Sequence, residues 1–356
     1  MKCYPFMESA FFDALQRSGG ADESQGWRAL HWQEPRSDGD FFMPIYRRNQ
    51  SWGEYVFDQG WEQGYRRAGL PYFPKLVTSV PFTPVPGPRW RGTLESPEAL
   101  WRHVSESVAE QQASGWHLLF PDNSTREALA ELPLVSRQAC HFRWNNRDYT
   151  DFEGFLALLT SRKRKAIRKE RLAVAAHGLD IRRASGADIP ADWWPAFYHC
   201  YAMTYFKRGQ KPYLRPEFFA HLVNSVLREQ LTIVAAFSAD QMIGAAFYLS
   251  DSETLYGRYW GCTAEYDALH FELCYYQGIE LCIEKKLQRF DPGVQGEHKI
   301  FRGFEPEITW SLHWLADPRF HQAIGQFCQD EARSVQAYQQ DARSILPYRE
   351  GVLEKS

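Results

Sequence analysis

The sequence predicts an α/β chain with two domains, each a mixed β-sheet flanked by helices. Three observations carry this reading. The chain has 356 residues, long for one domain and comfortable for two. Short apolar or β-branched runs alternate with segments of helical spacing, the order of mixed α/β layers. The succession of helix, paired strands, strand, helix, loop and strand occurs in both halves, which suggests one fold used twice without a residue-level repeat.

Taken in order, residues 6–15 have amphipathic helical spacing and 18–25 form a Gly/Ser/Asp loop. The runs 27–34 and 39–46 read as a hairpin turning at Ser37-Asp38-Gly39-Asp40. Tyr55, Phe57, Trp61 and Tyr65 recur at about one turn and predict a helix over 55–68. A strand over 72–80 runs into Pro81-Phe-Thr-Pro-Val-Pro-Gly-Pro-Arg89, whose four prolines forbid a helix or an inner strand. Ser96 caps the next helix, with Pro97 in its first turn. Strands at 116–120 and 141–144 flank a short helix from Ser124. A long helix is predicted over 151–177, with Gly178 as its stop. Then come a strand at 180–183, helices at 192–204 and 216–228, and a hairpin of 231–238 with 242–250. A strand at 254–261, a helix at 270–286, a strand at 309–315 and a helix at 318–338 complete the chain. The expected domains are 1–150 and 179–345, joined by a basic linker helix at 151–178, with a disordered tail at 346–356.

Composition narrows the function. Apolar residues are 44% and charged residues 24%, an ordinary globular balance, and net charge is −3. A nucleic-acid contact therefore needs a local patch. One exists: seven of the ten residues from Arg162 to Arg171 are basic, including Arg162, Lys163, Arg164, Lys165, Arg168 and Lys169. It reads either as the solvated face of a linker helix or as an electrostatic seat for phosphates or RNA. The seven cysteines, Cys3, Cys140, Cys200, Cys262, Cys274, Cys282 and Cys328, show no C-x-x-C spacing. They read as reduced thiols of a cytoplasmic protein, and no cluster has metal-ligand spacing, so no metal is expected. No signal-like start and no membrane-length apolar run occur, so no membrane span is expected.

The densest chemistry is Asp291-Pro-Gly-Val-Gln-Gly-Glu-His-Lys-Ile-Phe-Arg-Gly-Phe304. Glycines and a proline force a sharp turn, and Gly296 lets backbone approach a ligand. Glu297, His298, Lys299 and Arg302 follow as an acid/base pair with fixed positive charge, and Ile300, Phe301 and Phe304 anchor them. Glu297 and His298 are candidate proton acceptors. Lys299 is a candidate for stabilising an oxyanion; its alternative is a surface lysine. Arg302 is a candidate anion binder; its alternative is an ion pair to Glu305 or Glu307. Strand alternation places Tyr256, Arg258 and Trp260 on one face, a candidate substrate wall. His270 at a helix start can face the same groove, with Glu272 as a cap.

Several of these stretches resemble Fem-type aminoacyltransferases. Arg164-Lys-Ala-Ile-Arg-Lys-Glu-Arg171 with Gly178 resembles the segment that opens their second half. Phe197, Tyr198, Tyr201 and Thr204, then Tyr213, Phe218 and Phe219, resemble their aromatic helices, and Leu255-Tyr256-Gly257 their strand before the acceptor site. Asp291-Pro-Gly, Gly296, His298-Lys299 and Gly303-Phe304 resemble their Asp-x-Gly…Phe-Lys…Gly-Phe signature. Pro86-Gly87-Pro88 resembles a turn of their first domain and makes Gly87 and Arg89 candidate substrate contacts. Gly53-Glu-Tyr-Val-Phe-Asp58, Pro81-Phe-Thr-Pro-Val85, Tyr256-Gly-Arg-Tyr-Trp-Gly261 and Gly296-Glu-His-Lys299 are similar to phrases of a FemAB-like family linked to peptidoglycan biosynthesis and recognition. The resemblance implies two tandem GNAT-like acyltransferase domains that transfer an acyl or aminoacyl group to an amine acceptor, such as a peptidoglycan precursor. It implies no permanently bound cofactor; acyl-CoA or aminoacyl-tRNA would be co-substrate, with tRNA held by the basic run. The chain departs from the Fem pattern in lacking a long coiled-coil arm, and Glu-His replaces the Phe before the lysine. The alternative from another class is a non-catalytic module that recognises peptidoglycan fragments or another anionic ligand.

Overall fold

The computed structural model describes residues 4–37, 39–51, 54–294 and 296–353. Asp38 of the expected turn, Gly53, Gln295, Cys3 and the last three residues of the tail lie outside them. The chain forms two compact units, Met1–Ser18, His141–Glu307 and Asp341–Ser356 in the first, Gly19–Cys140 and Ile308–Gln340 in the second.

These units do not follow the boundaries read from the sequence. Strand Val135–Asn145 ends the first half of the chain, yet its last residues pair antiparallel with Arg289–Asp291 in the first unit. Strand Glu305–Leu315 ends the second half, yet Ser311–Leu315 lies antiparallel to Gly115–Leu119 in the second unit. Each unit is thus closed by a strand from the other half of the sequence. Helix Ser9–Arg17 belongs to the first unit because Phe11 packs edge-on against Phe218, ring centroids 5.6 Å apart.

The first unit is a mixed sheet in the order 135–145, 289–291, 254–262, 241–250, 231–238, 180–185. Leu231–Ser238 and Gln241–Ser250 are the predicted hairpin, apolar at almost every position because both sheet faces are covered. Phe247 and Tyr259 face helix Trp193–Phe206, where Phe197 is fully buried. Burial of such a side chain contributes about 1.5–3 kcal/mol. Tyr248, Leu255 and Phe290 face the core of Leu273, Ile279 and Cys282. The 254–262 and 289–291 strands pair in parallel; the neighbouring pairs are antiparallel.

The second unit has the order 27–29, 46–48, 75–78, 115–119, 305–315, again with one parallel pair, 75–78 with 115–119. Trp116, Leu118 and Leu76 fill its core against Leu100 and Val104 of helix Pro97–Glu110. Ser96 caps that helix as predicted, its Oγ accepting from Ala99 N at 3.1 Å. The helix expected from Tyr55 starts only at Gln59, because Glu54, Tyr55 and Phe57 have φ of 42°, 70° and 57°.

Two further expectations are corrected. The linker helix is two helices, Phe152–Ala157 and Ser161–Ala176, and both belong to the first unit. Ile167 and Val174 are buried in its core, so the apolar stripe has a partner and cannot span solvent. The tail is ordered through residue 353: Tyr348 is buried, and its hydroxyl donates to Gly303 O at 2.7 Å.

Gly261 lets strand and helix touch. A Cβ there would stand 1.8 Å from Cys200 O, a backbone atom that cannot swing aside. Gly261→Ala is expected to cost about 1–3 kcal/mol through overpacking. The check is a lower urea midpoint with an unchanged slope.

Candidate functional site

The parallel pairing of 254–262 with 289–291 lasts three residues, ending at Tyr256 opposite Asp291. Pro292 follows and brings no N–H to continue the ladder. Asp291 Oδ1 accepts from Gly293 N at 3.0 Å and turns the chain away, while the other strand continues to Cys262. The strands part, and a cavity of about 500 Å³ opens between them, lined by residues of the first unit. That size suits a small-molecule or extended-chain ligand.

Of the predicted site residues, Lys299, His298, Arg258, Trp260 and His270 line this cavity. Lys299 lies in the short helix Glu297–Arg302 and is 1% exposed, which removes the surface-lysine alternative. Its Nζ donates to Gly293 O at 2.5 Å. Burial pulls the ammonium down to about 8, against the opposing pull of Asp291. Asp291 is itself buried and faces Arg143, Oδ2 to Nε 3.5 Å.

His298 is held on two sides. Its Nε2 lies 2.8 Å from the Tyr275 hydroxyl. Its ring rests on Gly296, where φ is 113° and a Cβ would fall 2.1 Å from Cε1. Burial, then the Arg302 and Lys299 charges, lower its pKa. His270 sits 5.0 Å from the Trp260 ring, and burial with the same cations lowers it to about 4. Both imidazoles are neutral at pH 7.

The alternation read for 254–261 fails at Arg258. Phe247 pairs with Tyr259 but Tyr248 with Gly257, so Arg258 is the extra residue of a β-bulge. The bulge reverses the facing. Tyr256 packs on Phe6, 5.0 Å between centroids, away from the cavity, and its hydroxyl donates to Asp251 at 2.7 Å. Trp260 turns to the opposite face and His270.

Other candidates fall elsewhere. Arg302 is buried and donates with one nitrogen to both Glu170 oxygens at 2.8 Å, with another to His298 O, and with Nε to Tyr276. Its partner is Glu170 rather than Glu305 or Glu307, and it stacks 3.4 Å from the Phe271 centroid. Arg302 therefore braces the floor under His298. Glu297 is exposed and does not line the cavity. Gly87 and Arg89 lie in the second unit, where Gly87 bridges to Pro121. Arg89 is fully buried and donates to Leu119 O, Pro88 O and Val85 O, a structural clamp on the proline-rich loop. Glu272 does not cap a helix start: it lies in a π-turn, Glu272–Tyr276, and pairs with Arg171 at 2.9 Å. In the basic run, Lys163 sits 3.5 Å from the Phe301 ring centroid and Arg168 pairs with Glu153. Arg162, Lys165 and Lys169 are exposed, and Arg164 is half-buried.

Sequence reasoning missed Tyr275, Cys274 and Arg208 on the wall. Tyr275 had a signal, since it lies five residues after His270, the offset a π-turn brings onto one face.

Glu170→Ala is expected to destabilise the protein by about 3 kcal/mol, the lower end for a broken buried pair, since the Glu170 side chain is 30% exposed. Thermal unfolding checks this. Lys299 predicts a pH dependence of stability. Its pKa falls on folding, so the cost of burying the charge is full below about pH 8 and fades toward 10.5. Wild type is expected to gain stability relative to Lys299→Met over that window, by roughly 3 kcal/mol. Urea titrations at both ends of the window measure it.

No curated protein matches this chain in sequence. Solved structures do match in fold. The C-terminal domain (DUF2156) of a putative lysylphosphatidylglycerol synthetase from Agrobacterium fabrum has TM-score 0.55 and 9% identity, covering 90% of this chain and 91% of that one. L-PGS from Bacillus licheniformis has TM-score 0.52 and 9% identity, with 89% and 95% covered. FemX has TM-score 0.51 and 10% identity, with 90% and 94% covered. At such identities the likeness establishes the fold alone, and it is a mixed α/β fold, the class the sequence predicts. Residues 1–350 match the FemAB-like family, described as peptidoglycan biosynthesis/recognition, and the chain belongs to that family.

Proposed function

We propose that this protein transfers an acyl or aminoacyl group to an amine acceptor in the first unit's cavity. The family's description, peptidoglycan biosynthesis/recognition, supports a peptidoglycan precursor as acceptor class; as donor we propose an acyl-CoA or an aminoacyl-tRNA. One observation carries the reading: a buried lysine ammonium stands at the point where two parallel strands part.

The chemistry follows from the wall. The acceptor amine attacks the donor carbonyl carbon; the new N–C bond forms and the carbonyl oxygen takes up negative charge. Lys299 opposes that charge in a site shielded from bulk water. The surrounding cations favour the neutral, nucleophilic form of the amine. In the tautomer that donates from Nε2 to Tyr275, His298 keeps a lone pair on Nδ1 for the amine proton. The C–O or C–S bond to the leaving group then breaks, and that oxygen or sulfur takes the proton back from His298. If the donor is tRNA-borne, the exposed Arg162, Lys165 and Lys169 are the groups to meet its phosphates.

The test is incubation of the purified protein with charged tRNAs and with acyl-CoAs, following which donor is consumed. Lys299→Ala is expected to lower kcat/KM by about a hundredfold or more while the fold persists by circular dichroism. With Lys299 acting as a cation, kcat/KM falls as pH rises through about 8. Consumption of neither donor overturns the proposal, and binding without turnover marks a recognition module instead.

A further inference from the structure

The charge on the cavity wall is one-sided. Arg208, Arg258 and Lys299 line it, and among the described residues no aspartate or glutamate does. The nearby Asp291 is buried, held by Arg143 and by Gly293 N. Glu265 is occupied with Lys207 at the surface. The guanidinium of Arg208 makes no hydrogen bond or ion pair to any described residue, although it borders the cavity. The bulge exists at Arg258 and nowhere else along the pairing of 241–250 with 254–262, so local ladder regularity is given up where this arginine meets the cavity. The remainder of the wall is largely aromatic: Tyr205, Tyr213 and Trp260 offer apolar faces.

Two arginines and a lysine without a lining carboxylate form a field that favours an anion. Guanidinium groups bind carboxylate and phosphate through paired N–H donors. A free ammonium in the same place meets like charge, and cation–π contact with the aromatic rings offsets only part of that cost. The two neutral imidazoles fit the same field, since neighbouring cations contribute to keeping protons off them.

Resting on the transferase reading of this cavity, we propose that the substrate group bound here carries an acidic oxygen group, carboxylate or phosphate. That acid sits on Arg208 in the field of the lining cations, with its apolar body against Trp260, Tyr205 and Tyr213, while the Arg258 guanidinium lies 5.4 Å from the Phe6 ring centroid and acts through its charge. The group held at this wall meets it with its acidic end, and an amine carried by either substrate is held there as the neutral base.

The test is direct binding by calorimetry, independent of turnover. Four probes share a phenylethyl body: 3-phenylpropionate, 3-phenylpropanamide, 3-phenylpropylamine and 2-phenylethyl phosphate. The two acids are expected to bind and the amine and amide to bind at least tenfold more weakly. Arg208→Gln, at an exposed position that leaves the fold intact, is expected to weaken the acids about tenfold, the worth of one charge-assisted hydrogen bond. Arg258→Gln, which removes a lining charge without a direct contact to the acid, is expected to weaken them less. Tighter binding of 3-phenylpropionate names a carboxylate as the natural acid; tighter binding of 2-phenylethyl phosphate names a phosphate ester. Binding of the amine or amide as tightly as the acids overturns the proposal. So does the absence of binding by all four, or binding of the acids that neither substitution changes. Failure of transfer assays alongside acid-selective binding counts against the transferase reading only.

Discussion

The site depends on the brevity of one parallel pairing. Tyr256 and Asp291 are the last partners, and Pro292 denies the next hydrogen bond. Had that pairing continued, backbone would fill the space now occupied by the cavity. The same turn presents Gly293 O to the Lys299 ammonium, so one local break both opens the space and fixes the cation inside it. Phe290, fully buried just before the break, ties the end of the strand to the core of Tyr248 and Phe304.

Behind the cavity lies a second tier that holds the first in place. Arg302 joins Glu170, Tyr276, Phe271 and the His298 carbonyl, spanning three elements that are far apart in sequence. Arg171 does similar work nearby, bonding Glu272 at 2.9 Å and Glu280 at 2.5 Å. The basic helix is thus partly an internal brace. Arg171 points inward to carboxylates while Arg162, Lys165 and Lys169 face solvent, a division that charge counting along the chain does not reveal.

Much of the site was legible in the sequence because its signals are local. Asp291-Pro-Gly announces a turn by composition, and Lys299 stands out as a cation among apolar anchors. Nearly every strand and helix of the first unit was legible for the same reason, through hydrophobic period. What escaped depends on partners distant in sequence. Arg302 looks like an anion binder until Glu170, 132 positions away, appears beside it. The face of Trp260 was misread because a bulge is set by two strands together, and one strand's alternation cannot encode it. Arg89 was misassigned because the carbonyls it satisfies, of Val85, Pro88 and Leu119, leave no trace in residue type. Domain limits failed by the same logic: helices and turns mark where elements end, but not which sheet a strand joins.

The exchange of closing strands has a bearing on how this chain can come apart. It passes from one unit to the other four times. No single scission liberates an intact copy of either unit, because each half, isolated, ends in a strand whose hydrogen-bonding edge belongs elsewhere and lacks the strand that would seal its own sheet. A nascent chain emerging in order cannot finish its first sheet until the last hundred residues arrive. The gene for such a protein is committed to being read through as one indivisible piece.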